Sequence, residues 1–339
     1  KADREKKDLS LFATDNRVSI RQTLPIKAES DGEISVPGSL FNDILQSIQT
    51  VSAEELRLSC SEDKRIELTS DEASYKIGGS DPRSFPLIPS PEGDIEFEIS
   101  GELLRSMIRQ IAVTSSAGPG VAQGYDKALM DAKDGSLTTV TTDTVRLAVR
   151  KEKIENLPDF KIMVPIHALQ ELYKVLNPSD KVKVLISEEQ ISFTFGQTEF
   201  QARLCEHEFP DYQKIIPKEH SRTFKVDSKT FTDAIKGVLP VARESKNKVY
   251  LELEDSQLTV TAQSHEGDAR RQLQADIEGK KIELAFNAKF ILDFLAVTDA
   301  EKIEWGVTSS IHPATIEPIY EDISKDEKSY LYLLMPINI

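Results

Sequence analysis

The sequence predicts an α+β protein made of three similar domains, each with two helices packed on antiparallel sheets. Three observations carry this expectation. The stretch "LSLFATDNRVSI" at 9–20 returns as "LTTVTTDTVRLAV" at 137–149, and Thr14-Asp15 lies 128 positions before Thr142-Asp143. The stretch "ISVPGSLFNDILQSI" at 34–48 returns as "IMVPIHALQELYKVL" at 162–176, with Pro37 and Pro165 again 128 apart. "FEISGELLRSMI" at 97–108 returns as "FKVDSKTFTDAI" at 224–235, a spacing of 127. A chain that repeats itself at a fixed interval is built from repeated units, and units of this length can hold their own cores.

Each element follows from its local pattern. The run 9–20 alternates apolar and polar residues around Thr14-Asp15, as two half-buried strands about a turn would. At 37–49 a proline precedes apolar residues at helical spacing: Leu40, Phe41, Ile44, Leu45 and Ile48. Proline at the first helical position loses no hydrogen bond. "LRLSCSEDKRIELTS" reads as a hairpin whose turn is "SEDK" at 61–64. Ser100 caps a helix over 101–116, and Asp227 caps one over 228–248. Helix 165–176 carries Leu169, Leu172, Tyr173 and Leu176 on one stripe, and its third copy, "ELAFNAKFILDFLAV" at 283–297, begins with Asn287 as cap. "VKVLISEEQISFTFG" and "KIEWGVTSSIHPATIE" close the second and third units as strand pairs. The third copy of the Thr-Asp strand, "LTVTAQSHEGDARRQL" at 258–273, is decayed, with Thr261-Ala262 read in place of Thr-Asp.

These patterns divide the chain at 1–94, 95–220 and 221–339. The first-unit counterpart of "FEISGELLRSMI" falls ahead of residue 1 (97 − 127 = −30), so one more strand and helix are expected before Lys1. A head-to-tail contact is expected to be weaker without them. Similar units joined head to tail favour an arc, and two arcs related by a two-fold axis close a ring.

An apolar fraction of 39% with 29% charged residues describes a globular protein, and no run of eighteen apolar residues offers a membrane span. Cys60 and Cys205 sit in alternating runs and are expected as buried or half-buried thiols in a reducing cytoplasm. The net charge of −15 argues on average against phosphate binding. Its distribution does not. The five helical segments together carry net +3, leaving −18 on the strands and loops. Helices gathered on one surface could face phosphates while the rest of the protein repels them.

Catalytic patterns do not assemble. The histidines at 167, 207, 220, 265 and 312 form no paired metal-ligand spacing. "GPGVAQG" at 118–124 has glutamine at the third glycine position and follows a helix, so it reads as a loop rather than a dinucleotide site. "SEDK" lacks the partner motifs of a Ser-x-x-Lys acylase. No cofactor, metal or enzymatic reaction is expected. The alternative reading is a non-catalytic, β-rich scaffold or adhesion module.

The three-fold repeat, "TTDTVRLAV", "FPDYQKIIP" at 209–217 and the terminal "YLYLLMPINI" at 330–339 resemble the bacterial DNA polymerase III β subunit, the sliding-clamp family, over essentially the whole chain. The resemblance implies the DNA-clamp fold and a head-to-tail homodimeric ring around duplex DNA, bound without regard to sequence. The replicative polymerase and clamp loader would dock through short peptides, in the cytoplasm.

The resemblance also implies a peptide pocket. By position it takes Thr142, Thr144, Val145, Arg146 and Leu147 from the repeated strand, and Pro210, Lys214 and Ile215 from "FPDYQKI". Leu333, Met335, Pro336 and Ile337 come from the C-terminus, joined by Tyr125, Asn287 and Phe290. Arg105, Arg109, Gln123, His167, Lys174, Lys229, Lys236, Arg243 and Lys289 are the expected DNA-facing residues. Two departures stand out. The family usually has Gly-His where Thr144-Val145 stands, and often Arg where Asn338 stands. "LLMPINI" is too apolar for a free tail and is expected to be docked, with Met335 and Leu147 forming the floor of the cleft.

Overall fold

The computed structural model describes residues 1–49, 55–61, 63–115, 125–206, 208–320 and 328–338. "GPGVAQG" and Gln123 lie outside them. The chain folds as two compact units, Lys1–Asp94 with Val182–Arg203, and Ile95–Lys181 with Leu204–Ile339. These units cut across the repeats. Strand Thr198–Arg203, from the second repeat, pairs antiparallel with Val18–Pro25, from the first, in the register Phe200↔Ile20. A sequence repeat counts elements but does not say which edge each strand will find.

In the first unit, α1 (Gly38–Gln49) lays Phe41, Ile44, Leu45 and Ile48 on a three-stranded sheet of Arg57–Ser61, Arg65–Thr69 and Ser74–Gly78. Leu40, expected on that stripe, is 47% exposed; it lies one helical step, about 100°, from Phe41, beyond the packed face. Cys60 is exposed rather than buried, because its strand is an outer one of this sheet, while Cys205 is half-buried, and neither forms a disulfide.

The second unit holds α2 (Gly101–Ala112), α3 (Ile166–Val175), α4 (Ser228–Glu244) and α5 (Ala288–Leu295). Three expected caps form. Ser100 Oγ accepts from Leu103 N at 3.2 Å, Asp227 Oδ1 from Thr230 N at 2.7 Å, and Asn287 Oδ1 from Lys289 N at 3.0 Å. Pro165 sits one position earlier than expected, as the N-cap of α3. It still closes the strand Phe160–Pro165, opposite Lys127. Pro37 likewise precedes α1.

A nine-stranded sheet runs through this unit. At its centre Arg146–Lys153, from the second repeat, pairs with Lys328–Leu334, from the third, in the register Leu147↔Leu333 and Val149↔Leu331. One face of that pair packs on the helices. There Trp305 is fully buried against Phe224, Phe286 and Phe231, with ring centroids 5.3, 5.4 and 6.0 Å away. The other face carries Leu147 and Leu333, covered by Phe209, Tyr212 and Ile216. Alternation along a strand sends successive side chains to opposite faces, so one strand serves both a core and a site. Arg150 is buried within this sheet; its Nη1 donates to Lys151 O at 2.7 Å and Ser329 O at 3.1 Å.

Candidate functional site

The Thr-Asp repeat is a turn. Thr142 Oγ1 donates to Arg146 O at 2.7 Å, Thr144 N donates back to Thr142 Oγ1 at 3.2 Å, and Asp143 Oδ1 accepts from Val145 N and Arg146 N at 3.0 and 2.7 Å. The first repeat makes the same bonds: Thr14 Oγ1 to Val18 O at 2.8 Å, Asn16 N to Thr14 Oγ1 at 3.0 Å, and Arg17 N and Val18 N to Asp15 Oδ1 at 2.8 and 2.7 Å. A threonine hydroxyl and an aspartate carboxylate thus satisfy four backbone groups that a tight hairpin leaves open. The third copy turns at Ser264, whose N–H donates to Gly267 O at 3.0 Å, as Asp143 N does to Arg146 O at 3.1 Å. The counterpart of Thr142-Asp143 is therefore Gln263-Ser264, two residues beyond Thr261-Ala262. A two-residue slip keeps every side chain on its proper face, so strand periodicity could not detect it.

This turn positions a cleft lying wholly in the second unit. Arg146 is the link. Its Nε donates to Asp143 Oδ2 and its Nη1 to Asp293 Oδ2 on α5, both at 2.9 Å, and its guanidinium lies 3.9 Å from the ring centroid of Phe290. The arginine is only 7% exposed, so it holds the turn against α5 and orients Phe290. Beside the guanidinium, Tyr332 Oη donates to Phe290 O at 3.1 Å, and burial pushes the Tyr332 hydroxyl well above its ordinary pKa.

The C-terminal run is docked, as its composition implied. Met335 N donates to Val145 O at 2.9 Å, Ile337 N to Ala285 O at 2.7 Å, and Lys248 Nζ to Asn338 O at 2.9 Å. Leu147 and Leu333 lie buried beneath Phe209, Tyr212 and Ile216, while Met335, Pro336 and Ile337 are half-buried. Val145 and Ile215, 40% and 48% exposed, present large apolar side chains to solvent. Pro210 is exposed, as is Lys214, which pairs with Asp211 at 2.8 Å and holds that carboxyl below its ordinary range. Tyr125 is half-buried ahead of strand Lys127–Lys133. The sequence reading missed Asp143 and Asp293, the two anchors of Arg146. Asp293 was detectable, since it stands three residues from Phe290 and shares its helix face.

The expected DNA-facing residues divide in two. Arg105 Nη1 donates to the carbonyls of Tyr173, at 2.5 Å, and of Leu176, and its guanidinium stacks 4.2 Å from the Tyr173 ring. Its charge therefore closes the C-terminus of α3. Arg109 pairs with Asp299 at 3.0 Å, Lys174 with Glu171 at 2.7 Å, and His167 lies 3.7 Å from the same Glu171. Lys229, Lys236, Arg243 and Lys289 are exposed and form no ion pair among the described residues. The first three stand seven apart on α4, which places them on one stripe.

The chain is similar to known proteins in sequence and in fold. The family descriptions "DNA polymerase III beta subunit" N-terminal, central and C-terminal domain match residues 2–89, 98–211 and 213–337. A beta sliding clamp of Staphylococcus epidermidis is 28% identical over 352 aligned positions, covering 99% of this chain and 90% of its own. One from Staphylococcus aureus is 27% identical with the same coverage. The crystal structure of the DNA polymerase III beta subunit of Thermotoga maritima superposes with a TM-score of 0.87 at 26% identity, covering 98% of this chain and 89% of the other. That of Pseudomonas aeruginosa, at 22% identity, has the same fold with a TM-score of 0.84, covering 98% and 90%.

Proposed function

The chain belongs to the DNA polymerase III beta subunit family, and we propose that it is a DNA sliding clamp, a non-catalytic ring that encircles duplex DNA and tethers a polymerase to it. The observation that carries the reading is the α4 stripe. A chain of net charge −15 keeps Lys229, Lys236 and Arg243 exposed and unpaired along one helix face, among the described residues. Such a stripe meets phosphates without reading bases, so contact with DNA is sequence-independent.

The cleft around Leu147, Leu333, Met335 and Phe290 takes the partner peptides of the replicative polymerase and the clamp loader. Exposed apolar groups at Val145 and Ile215 and a floor of buried leucines suit an extended peptide with apolar anchors. The three-domain division at 1–94, 95–220 and 221–339 and a head-to-tail homodimer belong to the same reading. In favour of the dimer, Ser74–Gly78 and Asp268–Gln274 are each an outer strand of their sheet. Exposed Asp71 and Glu72 precede the first, and exposed Arg270 and Arg271 lie on the second. Open edges of opposite charge can add to one another across two copies.

The test is retention on DNA. Full-length protein loaded on a nicked circle should stay bound through gel filtration at moderate salt and run off once the circle is cut. Equal retention on linear and circular DNA rejects the ring.

A further inference from the structure

A second groove lies on the same sheet face of the second unit, at the end away from Met335. It has a volume of about 420 Å³, within the range of small ligand sites. Its floor is Val149 and Leu331, which face each other in the register; its wall is Tyr212, Ile216 and Pro217. Two residues along the strand stands Lys151, whose cross-strand neighbours are Thr138 on one side and Ser329 on the other. All three line the groove. One end is therefore apolar and the other holds a cation between two hydroxyls, about 6.7 Å apart along the strand.

Lys151 forms no ion pair among the described residues. Glu317, the acid of the groove, is itself engaged. His220, on the rim, has its Nε2 3.1 Å from Thr315 Oγ1 and its Nδ1 buried without a partner in the described structure. The unmatched groups are thus a cation and a ring nitrogen able to donate in one tautomer.

We propose that this groove binds the free carboxy-terminus of a partner peptide ending in a branched apolar residue. The carboxylate sits at Lys151 between the Thr138 and Ser329 hydroxyls, and the last side chain lies on Val149 and Leu331. Charge-assisted hydrogen bonds to the carboxylate supply the selectivity, and the apolar floor supplies the affinity.

Fluorescence anisotropy of fluorescein-labelled Gly-Ser-Ala-Leu-Leu against the full chain tests this, beside the same peptide with an amidated C-terminus. The acid should bind at least tenfold more tightly than the amide. Lys151→Met should weaken the acid at least fivefold and leave the amide unchanged, while Lys151→Arg should retain most of the affinity. Leu331→Ala should weaken both forms, and Met335→Ala neither. Equal binding of acid and amide, no binding of the acid, an unaltered acid affinity in Lys151→Met, or a loss in Met335→Ala overturns the proposal. Each variant's thermal midpoint, compared with that of the parent, confirms that it is folded.

Discussion

Arg146 lays its guanidinium 3.9 Å from the ring centroid of Phe290 while bonding Asp143 and Asp293. One buried side chain thereby joins a hairpin turn to a helix and fixes an aromatic wall of the cleft. Removing one partner of a buried ion pair costs about 3–5 kcal/mol, because the remaining charges lose their compensation.

Arg146→Met should accordingly lower stability by about 3 kcal/mol. It should also weaken peptide capture about tenfold, as Phe290 loses its support. Arg146→Lys keeps the charge but not the planar fork, so it should recover part of the stability and little of the affinity. Chemical denaturation and a peptide titration measure the two effects. A full recovery of affinity by lysine would show that orientation of Phe290 does not matter.

Thr144 carries the strain of the turn. Its φ is +76°, where Asn16 in the equivalent first-repeat turn has +70°. A β-branched residue is costly in that region and asparagine is tolerated. Thr144→Asn should stabilise the protein by about 0.5–1 kcal/mol, and Thr144→Gly less, because glycine loses more chain entropy on folding. A lower midpoint for Thr144→Asn in a thermal melt would mean that the threonine side chain makes compensating contacts.

The charge stripe and the helix clasp respond differently to reversal. Lys229→Glu with Lys236→Glu and Arg243→Glu should shorten retention on nicked circular DNA and reduce its salt dependence, with a change of less than about 1 kcal/mol in stability. Arg105→Glu should do the opposite. It removes the donor bonded to the Tyr173 and Leu176 carbonyls and should lower stability by about 2 kcal/mol or more. Unchanged retention in the triple variant would place α4 away from the duplex.

Local chemistry was legible in the sequence and distant pairing was not. Ser100, Asp227 and Asn287 cap helices as read, because a cap is decided within three residues. The slip between Thr261 and Gln263 escaped because a shift of two preserves strand alternation. Arg105 and Arg109 were read as free cations because their partners, at 173, 176 and 299, lie 68 to 190 positions away. The same limit hid the pairing of Thr198–Arg203 with Val18–Pro25, and with it the division into compact units. Within the cleft the apolar lining was legible as a composition; the Asp143–Arg146–Asp293 clasp depends on three segments meeting in space.

The cap at Asp227 gives a stability term with a defined pH dependence. Its Oδ1 accepts from Thr230 Oγ1 and Thr230 N, bonds that hold its carboxyl below the ordinary carboxylate range. A depressed folded-state pKa contributes stability that is present above the unfolded value, about 3.9, and is lost as pH falls through the folded value. Asp227→Ala should therefore cost about 1 kcal/mol at pH 7. The gap to the parent should close as pH falls below about 4, while the difference between Asp227→Ser and Asp227→Ala, two uncharged residues, should stay the same at both pH values. Urea midpoints at pH 7 and pH 3 decide it, and a gap that stays constant would assign the stabilisation to packing rather than to the carboxylate.

Three backbone groups dock the C-terminus. Met335 is tied to Val145, Ile337 to Ala285, and the carbonyl of Asn338 to Lys248. Removing residues 336–339 together with Met335→Ala strips one wall from the cleft and two tethers from its base, while Leu147, Leu333 and the Arg146 clasp remain. Loss of a buried apolar anchor costs on the order of 1–2 kcal/mol or more in binding, roughly tenfold or greater in affinity. Capture of a polymerase-derived peptide should fall at least tenfold, with the protein still folded and its sedimentation unchanged. Val145→His should alter the ranking of two different peptides more than their mean affinity, because it changes an exposed wall and leaves the floor intact. Undiminished capture by the truncated protein would place the peptide site elsewhere on the molecule.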